Sequence, residues 1–519
     1  MLRLIQTTAI ITGAALAGLT APAQAATALR VQLPADIRSI DPGVNRDHNT
    51  DAVVLHIVEG LVAYGEDAAP KPLLAEKVAI SEDGKSYSFT LRQGVKFHNG
   101  AEMTSADVVW SWNLDMSPKT DWRCLSEFDG RGLVKVESVT AQDPRTVVFQ
   151  LDKPSALFLT SLARTDCAMT GILHKDSVKA DGSFDKPIGT GPFKFAEWKR
   201  GEFIRLERFA GYAALPGKID GLGGAKRPLV DELRFVVIPD SATAKAALVS
   251  GDIDVVPDVA NADVAELKNE PKVKLSVVSH MGLVGLIIQT RDPVMANVKL
   301  RRAIAAAIDK PELVASVTDG LGKPNGSIVP TLSAYHGKVQ EQDVAYDVAA
   351  AKKLIAESGY KGEKIVMMAN KRYPQSFNAA VVAQQMLQSV GLKVEIEVLE
   401  WATQLDRYNK GNYQIQAFPY SGRMDPSLSF ESMTGPKDKQ PRKLWDNPEI
   451  QALLDKSMIV GDRSERQAIF DELHKRFLAD MPMVMLYNGI AGGAVGKRVN
   501  GYVSSLTSLP RLWEVSLSP

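Results

Sequence analysis

Gly94-Val-Lys-Phe-His-Asn-Gly100 runs on into Thr104-Ser-Ala-Asp-Val-Val-Trp110, a tight turn followed by a helix start. The two glycines stand where a turn needs unhindered backbone, and Phe97 fills core space. Thr104 and Asp107 have the spacing of a capping box, so a helix begins there and carries Val108, Val109 and Trp112. Just upstream, residues 86–91 alternate as a strand. Downstream, residues 134–140 and 146–151 flank Asp143-Pro144 as a hairpin-like pair.

Strand and helix patterns continue in alternation to both ends of the chain. A strand over 28–33, a loop over 36–50 that holds Asp41-Pro42, Arg46, Asp47 and His48, and a helical stretch over 51–61 come first. Residues 232–238, the Ala-rich segment after Asp240-Ser241, and residues 253–256 form a β-α-β unit. Helices over 298–308 and 347–358, a strand over 364–368, a helix over 377–390 and a strand over 393–398 follow. Helices over 450–459 and 463–478 precede a last strand over 484–487. Such alternation predicts an α/β protein.

The first residues carry one basic side chain, Arg3, an apolar run over 8–19, and Ala23-Gln24-Ala25, a pattern that predicts a signal peptide over 1–25 cut before Ala26. A membrane span needs roughly 20 apolar residues, more than this Gly- and Ala-rich run provides. About 490 residues then remain, too many for one hydrophobic core, so two or three domains are expected. Lys and Arg number 61 against 61 Asp and Glu, which gives no reason to expect a nucleic acid or an anionic membrane as partner. The only two cysteines, Cys124 and Cys167, are even in number and exported, which favours a disulfide over two separate buried thiols.

Several segments together resemble the peptide- and nickel-type family 5 of bacterial extracellular solute-binding proteins. They are Pro72-Leu-Leu-Ala-Glu76, the strand over 86–91, the two motifs quoted first, Pro187-Ile-Gly-Thr-Gly-Pro-Phe193 with Tyr212, Ser250-Gly-Asp-Ile-Asp254, Val298-Lys-Leu-Arg-Arg-Ala-Ile304 with Ala307-Ile-Asp309, and Asp425-Pro426. The resemblance implies a two-lobed periplasmic-binding-protein fold of type II, in its large cluster C form, with an extra subdomain in the first lobe. Mapped onto this chain, the central subdomain takes 26–60, 187–285 and 485–519, the accessory subdomain 61–186 and the second lobe 286–484. It further implies a monomeric periplasmic receptor that captures a solute between hinged lobes and delivers it to an ABC permease with its ATPase subunits.

No catalytic set competes with that expectation. The chain lacks a GxSxG elbow, an HExxH pair and a Ser-x-x-Lys set in a convincing setting, and its carboxylate pairs, such as Asp252 and Asp254, suit turns and caps. A periplasmic hydrolase or a chaperone-like protein on the same fold is the alternative. Seven scattered histidines offer no metal cluster, His98 is better suited to a structural hydrogen bond, and no cofactor is expected.

In peptide-binding relatives a carboxylate three residues before the Asp-Pro holds the ligand's amino terminus. Here that position is Gly422, with Arg423 beside it, and a guanidinium suits bidentate capture of an anion. Asp425 is expected to cap the following turn. Candidate pocket residues are therefore Arg423, Tyr420 and Trp401, with Trp122 and Arg123 from the accessory segment, and Asn370, Arg372, Tyr487 and Asn488 at strand ends. The ligand expected is a short peptide, an opine-like conjugate or another small anionic metabolite.

Overall fold

A strand rich in β-branched residues, Val273–Ile288, runs antiparallel to Met483–Gly496, and this pair forms the middle of a ten-stranded sheet. The computed structural model describes residues 27–44 and 47–518; the expected leader, its cleavage before Ala26, and Arg46 lie outside them. On one side of the pair the sheet continues through Ile415–Tyr420, Lys364–Ala369 and Lys393–Val398. On the other it continues through Val255–Val256, Ala28–Leu33, Glu232–Val237, Phe203–Arg208 and Phe193–Lys199.

Side chains of a strand point alternately to opposite faces, and the second-lobe half of the central pair uses both. Val284, Leu286, Ile288, Val484 and Leu486 enter one apolar cluster, while Leu283, Ile287, Met483 and Met485 enter another. At the far end, Leu29, Val31, Leu206, Leu233 and Phe235 build a separate core. Each half of the sheet thus packs against its own helices, and two continuous strands bridge the resulting lobes.

The expected β-α-β unit is present: Glu232–Val237 and Val255–Val256 both pair parallel with Ala28–Leu33, joined by the helix Ser241–Ser250. Asp240 caps that helix by accepting from Thr243 N at 2.7 Å, and Gly251, with φ of 85°, ends it. In the second lobe, Lys364–Ala369 and Lys393–Val398 pair parallel around the helix Pro374–Ser389. A separate four-stranded antiparallel sheet, Ala75–Ile80, Ser86–Leu91, Thr146–Leu151 and Val136–Asp143 in that order, forms the accessory part with the helix Ser105–Asp115. The capping box of Thr104 and Asp107 is formed.

Two expectations need correction. The helix over 51–61 is the shorter His48–Val54, capped by Asp47. Beyond it, the carbonyls of His56 and Ile57 accept from Phe193 N and Gly191 N at 3.1 and 2.9 Å, so tertiary pairing overrides helix propensity. Glycine is required in that contact: a Cβ on Gly189 would lie 2.2 Å from the Ile57 carbonyl oxygen. The last strand does not stop at 487 but runs on to Gly496, and its long partner, Val273–Ile288, was not foreseen.

Candidate ligand-binding cleft

Between the lobes lies a cleft of about 710 Å³, within the roughly 300–1,000 Å³ of small-molecule sites. Six stretches of the chain meet there. The accessory part contributes Tyr64, Glu127, Thr160, Ser161, Arg164 and Asp166; the second lobe contributes Gly422, Arg423, Met424 and Leu428. His280 and Met281 form the floor from the bridging strand, and Leu506, Thr507 and Ser508 come from the carboxyl-terminal segment. Outside the cleft the lobes touch through two backbone hydrogen bonds, Ala334 N to Asp67 O at 2.8 Å and Ala156 N to Met458 O at 2.9 Å.

Arg164 organises the accessory wall. Its Nε and Nη2 donate to both Asp166 carboxylate oxygens at 3.0 and 2.7 Å, and Nη1 pairs with Glu127 at 2.7 Å. Burial disfavours the charge of Arg164, but the two carboxylates outweigh it and raise its pKa. For Asp166 burial likewise works against ionisation, yet the hydrogen bonds and charge of Arg164, with Arg123, hold its pKa below the usual range. The Arg123 Nη2 is 3.8 Å from Asp166. Two guanidinium groups therefore face two carboxylates on this wall.

The cysteines hold the wall in place. Cys124 and Cys167 are joined, with Cα atoms 5.8 Å apart, and Cys167 directly follows Asp166. Immediately afterwards Ala168, Met169 and Thr170 all adopt left-handed backbone, with φ of 49°, 58° and 48°. Three successive non-glycine residues in that region are strained and persist only when their surroundings fix them.

Of the sequence-derived candidates, Arg423 lines the cleft. Its side chain is exposed, and its Nη1 donates to the carbonyl of its own neighbour, Gly422, at 3.3 Å. Arg123 sits behind the lining, against Asp166. The others belong elsewhere. Trp122 is buried and stacked on Phe128 in the accessory core. Trp401 packs on Tyr373 and Phe418, and Tyr420 bonds Tyr408 through the hydroxyls at 3.0 Å, both in the second-lobe core. Asn370 is buried and donates to Gln404 Oε1 at 2.8 Å; Arg372 is exposed, 6.0 Å from the Tyr373 ring. Tyr487 is wholly buried.

Asn488 secures the hinge. Its Nδ2 donates to Gly282 O at 3.1 Å, and its Oδ1 accepts from Asn325 Nδ2 and Thr331 N at 2.9 and 3.1 Å. Asp425 caps the helix Pro426–Met433 through Ser427 N and also receives Arg466 Nη2 at 2.8 Å. His98 bonds the Gly191 carbonyl through Nε2 at 3.0 Å. The cleft residues Glu127, Arg164, Asp166, His280 and Thr507 carry no local sequence signal.

A cleft between two lobes that are bridged by paired strands, lined by polar groups from both sides, defines a solute receptor of the type II periplasmic-binding class. The chain belongs to the bacterial extracellular solute-binding proteins, family 5, whose middle region it matches over residues 69–441. It is 28% identical to a heme-binding protein A of Haemophilus influenzae, over 86% of this chain and 84% of the relative. To the dipeptide-binding protein of Escherichia coli it is also 28% identical, over 83% of each. Among solved structures it is similar to the binding protein AgaA in complex with agropinic acid from A. tumefaciens R10, with 28% identity, a TM-score of 0.64, and 95% of this chain and 99% of that one covered. Its family consists of binding proteins, so the chain is a solute-binding protein and not an enzyme.

Proposed function

We propose that this chain captures a short peptide or a small anionic, amino-acid-derived metabolite outside the inner membrane and hands it to an ABC permease driven by separate ATPase subunits. The observation that carries the ligand class is the charge left over in the cleft. Arg123 and Arg164 balance Glu127 and Asp166, while Arg423 makes no ion pair among the described residues. An anionic group placed on Arg423 gains a charge-assisted bond as the lobes close and exclude water. The named ligands of relatives, a dipeptide and agropinic acid, fit a carboxylate-bearing solute.

The remaining parts of the proposal rest on the amino-terminal sequence and on the family resemblance. The leader over 1–25 is removed before Ala26, the mature protein is a periplasmic monomer, and the lobes divide as 26–60, 187–285 and 485–519 with 61–186, against 286–484. Those boundaries at 285 and 484 fall in or beside the two bridging strands, where a hinge needs them. Native mass spectrometry of protein purified from its host identifies the retained solute, and calorimetry then compares the wild type with Arg423→Ala. A loss of about 1–3 kcal/mol is expected for a bond to a charged group. Unchanged affinity removes Arg423 from the site.

A further inference from the structure

The bridging strands fall out of register at the cleft floor. Ser279 pairs with Ile490 and Leu283 with Asn488, so His280, Met281 and Gly282 stand opposite Gly489 alone. Bulges of this kind re-aim side chains and recur beside functional sites. This one is fixed on both sides: Asn488 holds the Gly282 carbonyl, and the Gly282 N–H donates to His280 Nδ1 at 2.7 Å. A ring nitrogen that accepts carries no proton, so the neutral imidazole bears its hydrogen on Nε2. That Nε2 has no hydrogen-bond partner among the described residues, and the ring lines the cleft.

The surrounding glycines make room for this arrangement. A Cβ on Gly489 would fall 2.3 Å from His280 Nε2, and one on Gly282 2.3 Å from its Cε1. At Gly422 a Cβ would lie 3.0 Å from Met281 Cβ and 3.2 Å from Gly282 N. The bulge therefore fills the space from which a side chain at 422 would start. In place of an acceptor for an ammonium group, the floor presents a donor, with the Arg423 guanidinium one residue along.

Resting on the receptor role proposed above, we propose that His280 determines specificity: its Nε2–H donates to a carboxylate oxygen of the ligand at the cleft floor. Burial holds the imidazole below its ordinary pKa, which keeps it neutral at pH 7. Protonating Nδ1 would also set two N–H groups against each other.

The test uses the whole protein labelled with ¹⁵N-histidine, with N-acetyl-dialanine, which has a carboxylate and no free amine, and dialanine amide, which has the reverse. Long-range ¹H–¹⁵N spectra should show His280 as the Nε2–H tautomer, shifted by N-acetyl-dialanine. That probe should bind at least about tenfold more tightly than dialanine amide, and His280→Ala should abolish the preference. His280→Gln, which keeps an N–H donor, should retain part of it. An Nδ1–H tautomer, a ring that neither probe moves, a preference for dialanine amide, or an undiminished preference in His280→Ala overturns the assignment. If dialanine compacts the protein in solution scattering while the ring stays unmoved, the receptor role stands and the role of His280 falls.

Discussion

Replacing Cys124 and Cys167 together by alanine removes a cross-link between residues 43 apart in sequence. In the chain-entropy treatment, releasing a loop of that length from the unfolded chain costs ~4 kcal/mol of stability. The folded state offsets part of this. Ala168, Met169 and Thr170 sit in left-handed backbone at about 1–2 kcal/mol each, held by burial and by bonds such as Met169 N to Arg164 O at 2.8 Å. Without the disulfide part of that run relaxes and recovers about 1–2 kcal/mol, so the net loss is about 2–3 kcal/mol. Urea unfolding of both proteins measures it, and the variant should also show a larger m value because its unfolded chain is more expanded. Relaxation of the run displaces Arg164 and Asp166, so affinity for the retained solute should fall as well. A stability loss below about 1 kcal/mol, with affinity intact, refutes the idea that the cross-link fixes this wall.

Acid should weaken the fold well above the carboxylate range. Burial drives His56 down to about 3 and His98 down to about 4 from 6.5, so the unfolded chain takes up protons that the folded chain refuses. Stability is then complete above about pH 6.5 and is lost as pH falls toward those values, at up to ~1.4 kcal/mol per pH unit for each ring. Calorimetric Tm at pH 7 and pH 5 should show the drop, and a flat profile would contradict it. Gly422→Asp should not create an amine clamp: its Cβ would crowd Met281 and Gly282, and a cost of about 1–2 kcal/mol is expected in urea unfolding, with no gain in affinity for free dialanine. Tight dialanine binding by that variant would show that the bulge yields.

Local chemistry was legible in the sequence where one short segment decides it. The capping box at Thr104, the cap at Asp425, the β-α-β units and the cysteine pair each depend on neighbours in the chain or on compartment. The bridging strands were harder to see. Val273–Ile288 is buried at its second half on both faces, so no simple alternation marks it, and glycines at 282 and 285 weaken its strand pattern. The cleft suffered most, because its residues come from six distant stretches that only the fold assembles. A strand end drew attention to Tyr487, an aromatic ring to Trp401 and the accessory segment of the family resemblance to Trp122, yet all three large rings serve the core. Gly422 beside Arg423 did point to the cleft, since a missing carboxylate in a familiar position is itself a chemical signal.

Small-angle scattering of the protein with and without its solute bears on the hinge itself. A receptor whose lobes are joined by Val273–Ile288 and Met483–Gly496 should lose radius of gyration when the solute from its host is added, and Gly489→Ala, which drives a Cβ into the His280 ring, should blunt that compaction. Saturable binding with an unchanged radius, or chemical turnover of the solute during the measurement, would contradict the two-lobed receptor.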